Sequence, residues 1–401
     1  MADRLTKEQI NKIKDKYNVS RYWSWSRINT FMTSPYEYYL KYVKHIPEDR
    51  QDCGYTTLGS LAHDTLDDFY EGKIKYEDMA GQFEDGWITA IDIADLKLDR
   101  NDIEHDNKIK DKYRECLEHF FRSHTQYEYN LLIEKPMVAK IGSNVFIGYI
   151  DALYKDDNDD YHIVDFKTSS IYSGKTLEEH SGQLTIYAIG LMQAGVPLNK
   201  IKCCFNFLKY CTIQYEQKNG AIKTRNVERC KIGESLQSNA KTWLKALGYE
   251  DEIDDYLKLL LDANSIEVLP EDVQEKYKIT DCHVYIPLDQ KLVDKWNDTI
   301  IATIHDIVLR EKDYDETKSE MVFWDSDESV KSQSYYFSTL CGYSPSLLKP
   351  YQKYLDQLEA QKNGADLFGG IGEGSLDNSI KTDKVVCDNN DGLDLSWLDN
   401  I

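Results

Sequence analysis

No stretch of the 401-residue chain runs for about 18 apolar residues, so no membrane-spanning helix is expected. The opening MADRLTKEQINKIKDKYN follows a polar helix pattern and does not read as a signal peptide. The nine cysteines are odd in number and include no C-x-x-C pair, which argues for reduced thiols in a cytoplasm-like compartment. No internal repeat is visible, and the length suits one large domain with additions or two domains. Positive charge is scarce too. With 48 Lys and Arg against 70 Asp and Glu the formal charge is -22, which at first argues against a nucleic-acid partner, because lysine and arginine make the phosphate contacts.

Net charge is a sum, and its distribution matters more. Lys200 to Lys231 holds eight Lys or Arg against two Glu, a local +6, and Arg21 to His45 holds four against one. Acid is concentrated elsewhere, as in YEDEIDDY (249–256) and the last fourteen residues. A polyanionic substrate is therefore not excluded.

Residues 6–17 read as a short helix, and WSWSRINTFMTSPYEYYLKYV (23–43) as two more, broken at Ser34-Pro35. LGSLAHDTLDDFYEG (58–72) sets Leu58, Leu61, Ala62, Leu66 and Phe69 at helical spacing, with Gly72 as a stop. A charged helical stretch continues to about residue 130. Three strand-like runs follow, 134–140, 145–153 and 161–167, and the polar KDDNDD (155–160) would turn the second into the third as an antiparallel hairpin. That acidic turn lacks the glycine and terminal glutamate of a calcium loop. TLEEHSGQLTIYAIGLMQAG (176–195) reads as one helix, with Thr176 and Glu179 as a capping box and Gly195 as the stop. IKCCFNFLKYCTIQYEQ (201–217) reads as strand and Asn219-Gly220 as a hairpin turn. From 232 to about 360 the pattern is mostly helical, and beyond about 362 a Gly-, Asn- and Asp-rich composition points to disorder. This order describes an α+β or α/β core with helices on both faces.

YHIVDFKTSS (161–170) sets an acid and a base into an apolar strand. Residues two apart share a strand face about 7 Å apart, so Asp165 and Lys167 lie together with Ile163, and Val164 and Phe166 point the other way. By itself the triplet suits an ordinary ion pair. Asp151, ending the preceding strand, adds a second carboxylate beside Asp165. Two acids held together are costly unless a cation joins them, and hard oxygen ligands favour Mg²⁺ or Mn²⁺. A lysine beside them can orient an attacking water or stabilise phosphate charge.

Four stretches, in order, resemble the RecB-type branch of the PD-(D/E)XK nuclease superfamily, which includes RecB and AddB nuclease domains, CRISPR-adaptation nucleases and phage exonucleases. GSLAHDTLDDFY resembles its G-x-x-x-H helix, GYIDAL its G-x-x-D strand, VDFKTS its D-x-K-T strand and GQLTIYAIGL its Q-x-x-x-Y helix. WSWSRINTFMTSPYEYYLKYV looks like its opening helices, and a fainter echo lies near 334–343. The resemblance implies a restriction-endonuclease-like α/β fold, a central mixed β-sheet flanked by helices. It divides the chain into an N-terminal helix (1–22), a nuclease core (23–231) with a helical insertion at about 73–130, a mostly helical region (232–361) and a flexible acidic tail (362–401).

The same resemblance implies that His63, Asp151, Asp165 and the backbone carbonyl of Phe166 hold Mg²⁺ or Mn²⁺, that Lys167 positions or activates the water, and that Gln183 and Tyr187 face the cleft. Arg27, Lys209, Lys223 and Arg225 would grip the DNA backbone, and Tyr22, Trp23 and Trp25 would stack on bases. Several relatives bind an iron–sulfur cluster through four cysteines; here Ser34 precedes the proline and Cys341 stands alone near the far end, so no cluster is expected. The function implied is a metal-dependent DNA exonuclease that leaves 5′-phosphates, in recombination, repair or replication in the cytoplasm of a bacterial or phage-infected cell. The alternative is a non-catalytic adaptor that keeps the fold to bind DNA or a partner. DNNDGLDLSWLDNI (388–401) has four Asp and no base among apolar residues, a pattern suited to docking on a helicase, single-strand-binding or replication protein.

Overall fold

A computed structural model describes residues 4–48, 53–343 and a few helical residues between 352 and 360. The acidic tail 362–401, with the docking segment 388–401, lies outside the described residues. One six-stranded mixed sheet organises the rest. β1 (Leu132–Ile141), β2 (Asn144–Lys155) and β3 (Tyr161–Lys167) form an antiparallel meander. β3 then pairs in parallel with β4 (Ile201–Glu216), which places β3 inside the sheet, and β5 (Ile222–Glu228) returns antiparallel along the far half of β4. The acidic link between β2 and β3 is a tight turn: Asp156 Oδ1 accepts the backbone N–H groups of Asn158 and Asp160, both at 2.9 Å.

The parallel β3–β4 step needs a crossover, and residues 174–193 supply it. They form two helices, not one: Gly174–His180 and Gly182–Gln193. The expected capping box is not used, since Thr176 and Glu179 lie inside the first helix, which starts after Ser173. Tertiary packing causes the break. A Cβ at Gly182 would stand 2.3 Å from the Trp25 ring, and Trp296 Nε1 donates to Ser181 Oγ at 2.9 Å. Two tryptophans thus wedge the chain open at Ser181-Gly182. The stop at Gly195 is present, with φ +99°.

The region 232–361 holds a strand that its helical pattern hides. β6 (Tyr277–Tyr285) pairs antiparallel with β4. Residues 204–206 of β4 pair with β3 and β6 at once, and 211–215 with β5 and β6 at once. β6 therefore takes one whole side of β4, and β3 and β5 divide the other. The register slips between Asn206 and Cys211, which spoils the alternation that would mark a strand in the sequence.

Helices cover both sheet faces. On one, the Gly182–Gln193 helix, the opening helices and the long helix Gln290–Thr317 bury Leu184, Ile28, Phe31, Trp296, Ile300 and Ile304. On the other, Gly54–Tyr70, Met79–Trp87 and Ile103–Ser123 bury Leu58, Leu66, Phe83, Leu117 and Phe120. Trp23 extends the sheet by exchanging backbone hydrogen bonds with Val145 and Ile147. At Ser34, the position of the absent cysteine, the hydroxyl donates to Asp327 Oδ2 at 2.5 Å, and Tyr36 N–H donates to the same oxygen at 2.8 Å. That buried carboxylate ties the opening helices to the C-terminal segment.

A second buried polar network joins the helical insertion to β6. Asp281, 3% exposed, receives Arg229 Nη2 at 2.5 Å on one oxygen and His124 Nδ1 at 2.5 Å on the other. Tyr70 OH lies 2.5 Å from the far nitrogen of His124, and Arg229 also reaches Ser123 Oγ and the Leu208 carbonyl, each at 3.0 Å.

Candidate metal centre

The chemistry-bearing residues meet where β2 and β3 part. Ile163 packs under the Gly182–Gln193 helix while Val164 and Phe166 pack on the opposite face, so alternation sets Asp165 and Lys167 side by side. Lys167 Nζ is 2.5 Å from Asp165 Oδ2. Asp165 is 1% exposed, and apart from that ion pair neither of its oxygens has a hydrogen-bond partner. Burial works against the charge on Lys167, but Asp165 and Asp151 outweigh it and hold the lysine above its ordinary value. The ammonium is its resting form.

Asp151 lies across the strand pair. Its Oδ2 accepts the Phe166 N–H at 2.9 Å, and His63 Nδ1 stands 3.6 Å away. The other ring nitrogen of His63 is 3.0 Å from the Phe166 carbonyl oxygen. Burial, then the charge of Asp165, pushes the Asp151 carboxyl up to about 6. Asp67, one helical turn after His63, is pushed to about 7 by burial and then by Glu134.

Glu134 is the residue that sequence reasoning missed. One ligand atom from each of His63, Glu134 and Asp151 lies within 4.8 Å of the others. Its place follows from the β1–β2 hairpin: Ile133 pairs with Ala152 and Lys135 with Ile150, which leaves Glu134 opposite Asp151. The signal was available, because the two-residue turn Gly142-Ser143 fixes that count.

The remaining expected site residues divide. Tyr187 is 5% exposed and donates to the Tyr149 carbonyl at 2.7 Å, while Gln183 Nε2 donates to the Tyr187 hydroxyl at 3.0 Å. Tyr187 thus braces β2 two residues before Asp151. A Cβ at Gly148 would come 2.8 Å from the Tyr187 ring. Gly148→Ala is therefore expected to cost about 1–3 kcal/mol, the usual penalty for overpacking, read as a lowered urea midpoint. Arg27 stacks over Trp23, Tyr38 and Tyr42 and donates to Tyr38 OH at 3.3 Å. Trp23 is buried and Trp25 sets its edge against Trp296, so packing occupies both tryptophans.

The basic segment 200–231 does not form a continuous cationic surface beside the site. Lys209 is 4% exposed, with its ammonium 3.6 Å from the centre of the Tyr113 ring, and burial lowers its pKa to about 8. Arg225 lies over the Tyr215 ring and donates to the Ser235 carbonyl. Lys200 faces Asp160, Arg229 faces Asp281 and Lys231 faces Glu228. Lys223 is exposed, but it pairs with Tyr215, ten residues along β4 from Phe205, the partner of Asp165. At about 3.3 Å per residue that is roughly 30 Å from the acids. Of the eight cations, Lys200, Lys202 and Arg229 meet acids from outside the segment, Lys231 meets Glu228 within it, and Lys209 and Arg225 lie against rings.

A family model described as the PD-(D/E)XK nuclease superfamily matches residues 22–282. The chain belongs to this superfamily. The matched span runs from just before Trp23 into β6 and contains His63, Glu134, Asp151, Asp165, Lys167, Gln183 and Tyr187. No curated protein sequence matches the chain. Nucleases of the PD-(D/E)XK superfamily use divalent metal ions, and the residues present fit one. A buried carboxylate oxygen with no partner is costly, and Asp165 Oδ1 is one. The 3.0 Å between His63 and the Phe166 carbonyl also suits adjacent ligands of an octahedral cation with bonds of about 2.1 Å. Among the described residues no helix is long and apolar enough to cross a membrane.

Proposed function

We propose that this nuclease is a Mg²⁺- or Mn²⁺-dependent deoxyribonuclease that degrades DNA from an end and leaves 5′-phosphates, in recombination, repair or replication. The observation that carries the reading is Asp165: a buried carboxylate with one oxygen on Lys167 and the other without a partner, held beside Asp151 inside the family-matched segment. His63, Asp151, Asp165 and the Phe166 carbonyl would hold the cation. A divalent ion held there supplies a Lewis acid and lowers the pKa of a bound water.

The protein's own residues do the rest. The Phe166 N–H fixes the Asp151 carboxylate, so its second oxygen is aimed without a rotamer search. The Lys167 ammonium stands where negative charge grows on the scissile phosphate, and it is held there by Asp165. Attack in line with the 3′ oxygen, followed by its departure, leaves the phosphate on the 5′ side. Residues 388–401 would add a docking peptide for a basic groove on a partner protein.

End-labelled linear and covalently closed circular DNA, incubated with Mg²⁺, with Mn²⁺ and with chelator, test the proposal. Metal-dependent release of 5′-phosphorylated products from linear DNA, with circles spared, is expected. Equal cleavage of circles would remove the exonuclease part, and no cleavage of either with any metal would remove the whole.

A further inference from the structure

Just past Lys167 the chain builds an aromatic stack that the metal centre does not use. Residues 168–173 lead from β3 to the helix Gly174–His180 and bring Tyr172 against His180. The two ring centres are 4.1 Å apart and the planes 12° from parallel. Tyr172 in turn stands at right angles to Phe205 and Phe207 of β4, at 5.4 and 5.1 Å. Phe205 is the cross-strand partner of Asp165 and Phe207 that of Lys167. The Lys167 ammonium lies 5.9 Å from the centre of the Phe205 ring. The stack thus grows from the strand positions that set the acid and the lysine. Resting on the nuclease reading above, we propose that His180, backed by Tyr172, is a stacking platform for the base beside the scissile phosphate. The enzyme then acts where that base has an open face, on single strands and strand ends.

The order of the rings gives the stack a direction. Phe205 and Phe207 are buried, Tyr172 is half-buried and His180 is exposed, so the series opens to solvent at the imidazole. No hydrogen bond or ion pair holds that imidazole among the described residues; its recorded contact is the Tyr172 face. A base is the flat ligand a nuclease meets, and aromatic faces take one without reading sequence.

The platform is held in place before any strand arrives. Ser169 Oγ donates to the Tyr172 hydroxyl at 3.0 Å, and Lys295 of the long helix pairs with Glu178 at 2.6 Å. Trp296 Nε1 fixes Ser181, the next residue after His180. An ordered face leaves little freedom to be lost on binding. It is also near the chemistry: burial lowers the His180 pKa, Glu179 opposes this, and the Lys167 ammonium adds to the lowering. Inside a duplex both faces of every base are covered by neighbours, and freeing one costs unstacking and unpairing. Single strands and ends offer a face without that cost.

Single-stranded oligonucleotides test this when one abasic nucleotide is moved stepwise inward from either end. They are bound to the full chain with Ca²⁺ in place of Mg²⁺. The native protein is expected to lose about tenfold in affinity when the abasic nucleotide occupies one particular position. His180→Ala should show that loss with the intact strand and no further loss at the abasic position. His180→Phe should restore the native pattern, which a merely structural imidazole would not. If His180→Ala does not fold, His180→Gln reads the same contrast at this exposed position. A native protein indifferent to every abasic position, or a His180→Ala that keeps the native sensitivity, overturns the platform. Mg²⁺-dependent cutting by the native protein then leaves the nuclease reading standing. A native protein that neither binds nor cuts DNA overturns both.

Discussion

Lys167→Ala is expected to slow cleavage of linear DNA by about 10³-fold, the loss that follows removal of one preorganised charge at a transition state. Its ammonium is 2.5 Å from Asp165 and is held in its charged form by two carboxylates. Without it the phosphate would meet the acids with one less compensating charge. The substitution should leave Mn²⁺ binding in place, because a protonated lysine is not a ligand. Asp165→Ala should stop cleavage as well, but through loss of metal. Single-turnover digestion beside Mn²⁺ titration separates the two, and full activity in either variant would sink the assignment.

Asp281→Ala is expected to lower stability by about 3–5 kcal/mol, as when one partner of a buried ion pair is removed. Arg229 is 1% exposed and would keep its charge with no carboxylate to meet it. His124, whose Nδ1 points at Asp281, would lose its partner too. Urea unfolding reads this as a fall in midpoint, and a change below 1 kcal/mol would show that the network is replaceable.

The same cluster sets an acid sensitivity. Burial, then Arg229, lowers the His119 pKa to about 4, against an ordinary value near 6.5. The unfolded chain binds the proton first, so this contribution is present above pH 6.5 and is lost as pH falls toward 4. Asp281 adds to it at lower pH. Burial alone would raise its pKa, but His124 and Arg229 outweigh burial and depress it, so its contribution disappears as pH drops through the folded value. Stability should decline from pH 6.5 to 4, with a shallower slope in His119→Gln.

Much of the fold and site could be read from residues because the signals were local. The hairpin between β2 and β3, the shared face of Asp165 and Lys167, and the turn at Asn219-Gly220 each depend on neighbours in the chain. What sequence reading missed depends on distant partners. The break at Ser181-Gly182 is imposed by Trp25 and Trp296. Part of the positive charge counted between 200 and 231 is drawn off by Asp160, Asp281 and a ring on another helix. β6 carries a register slip, so its apolar residues keep no clean period of two. Glu134 is the exception, since counting back from the Gly142-Ser143 turn puts it opposite Asp151.

β6 has a consequence for how the chain must be handled and made. A fragment stopping at residue 231 would contain every motif by which the nuclease is recognised, yet it would expose the backbone N–H and C=O groups of a sixteen-residue central strand. Such a row of vacant groups is a template for other chains. During synthesis, too, β4 must wait for about sixty further residues to emerge, and a nuclease trimmed to its motifs would precipitate before it could cut.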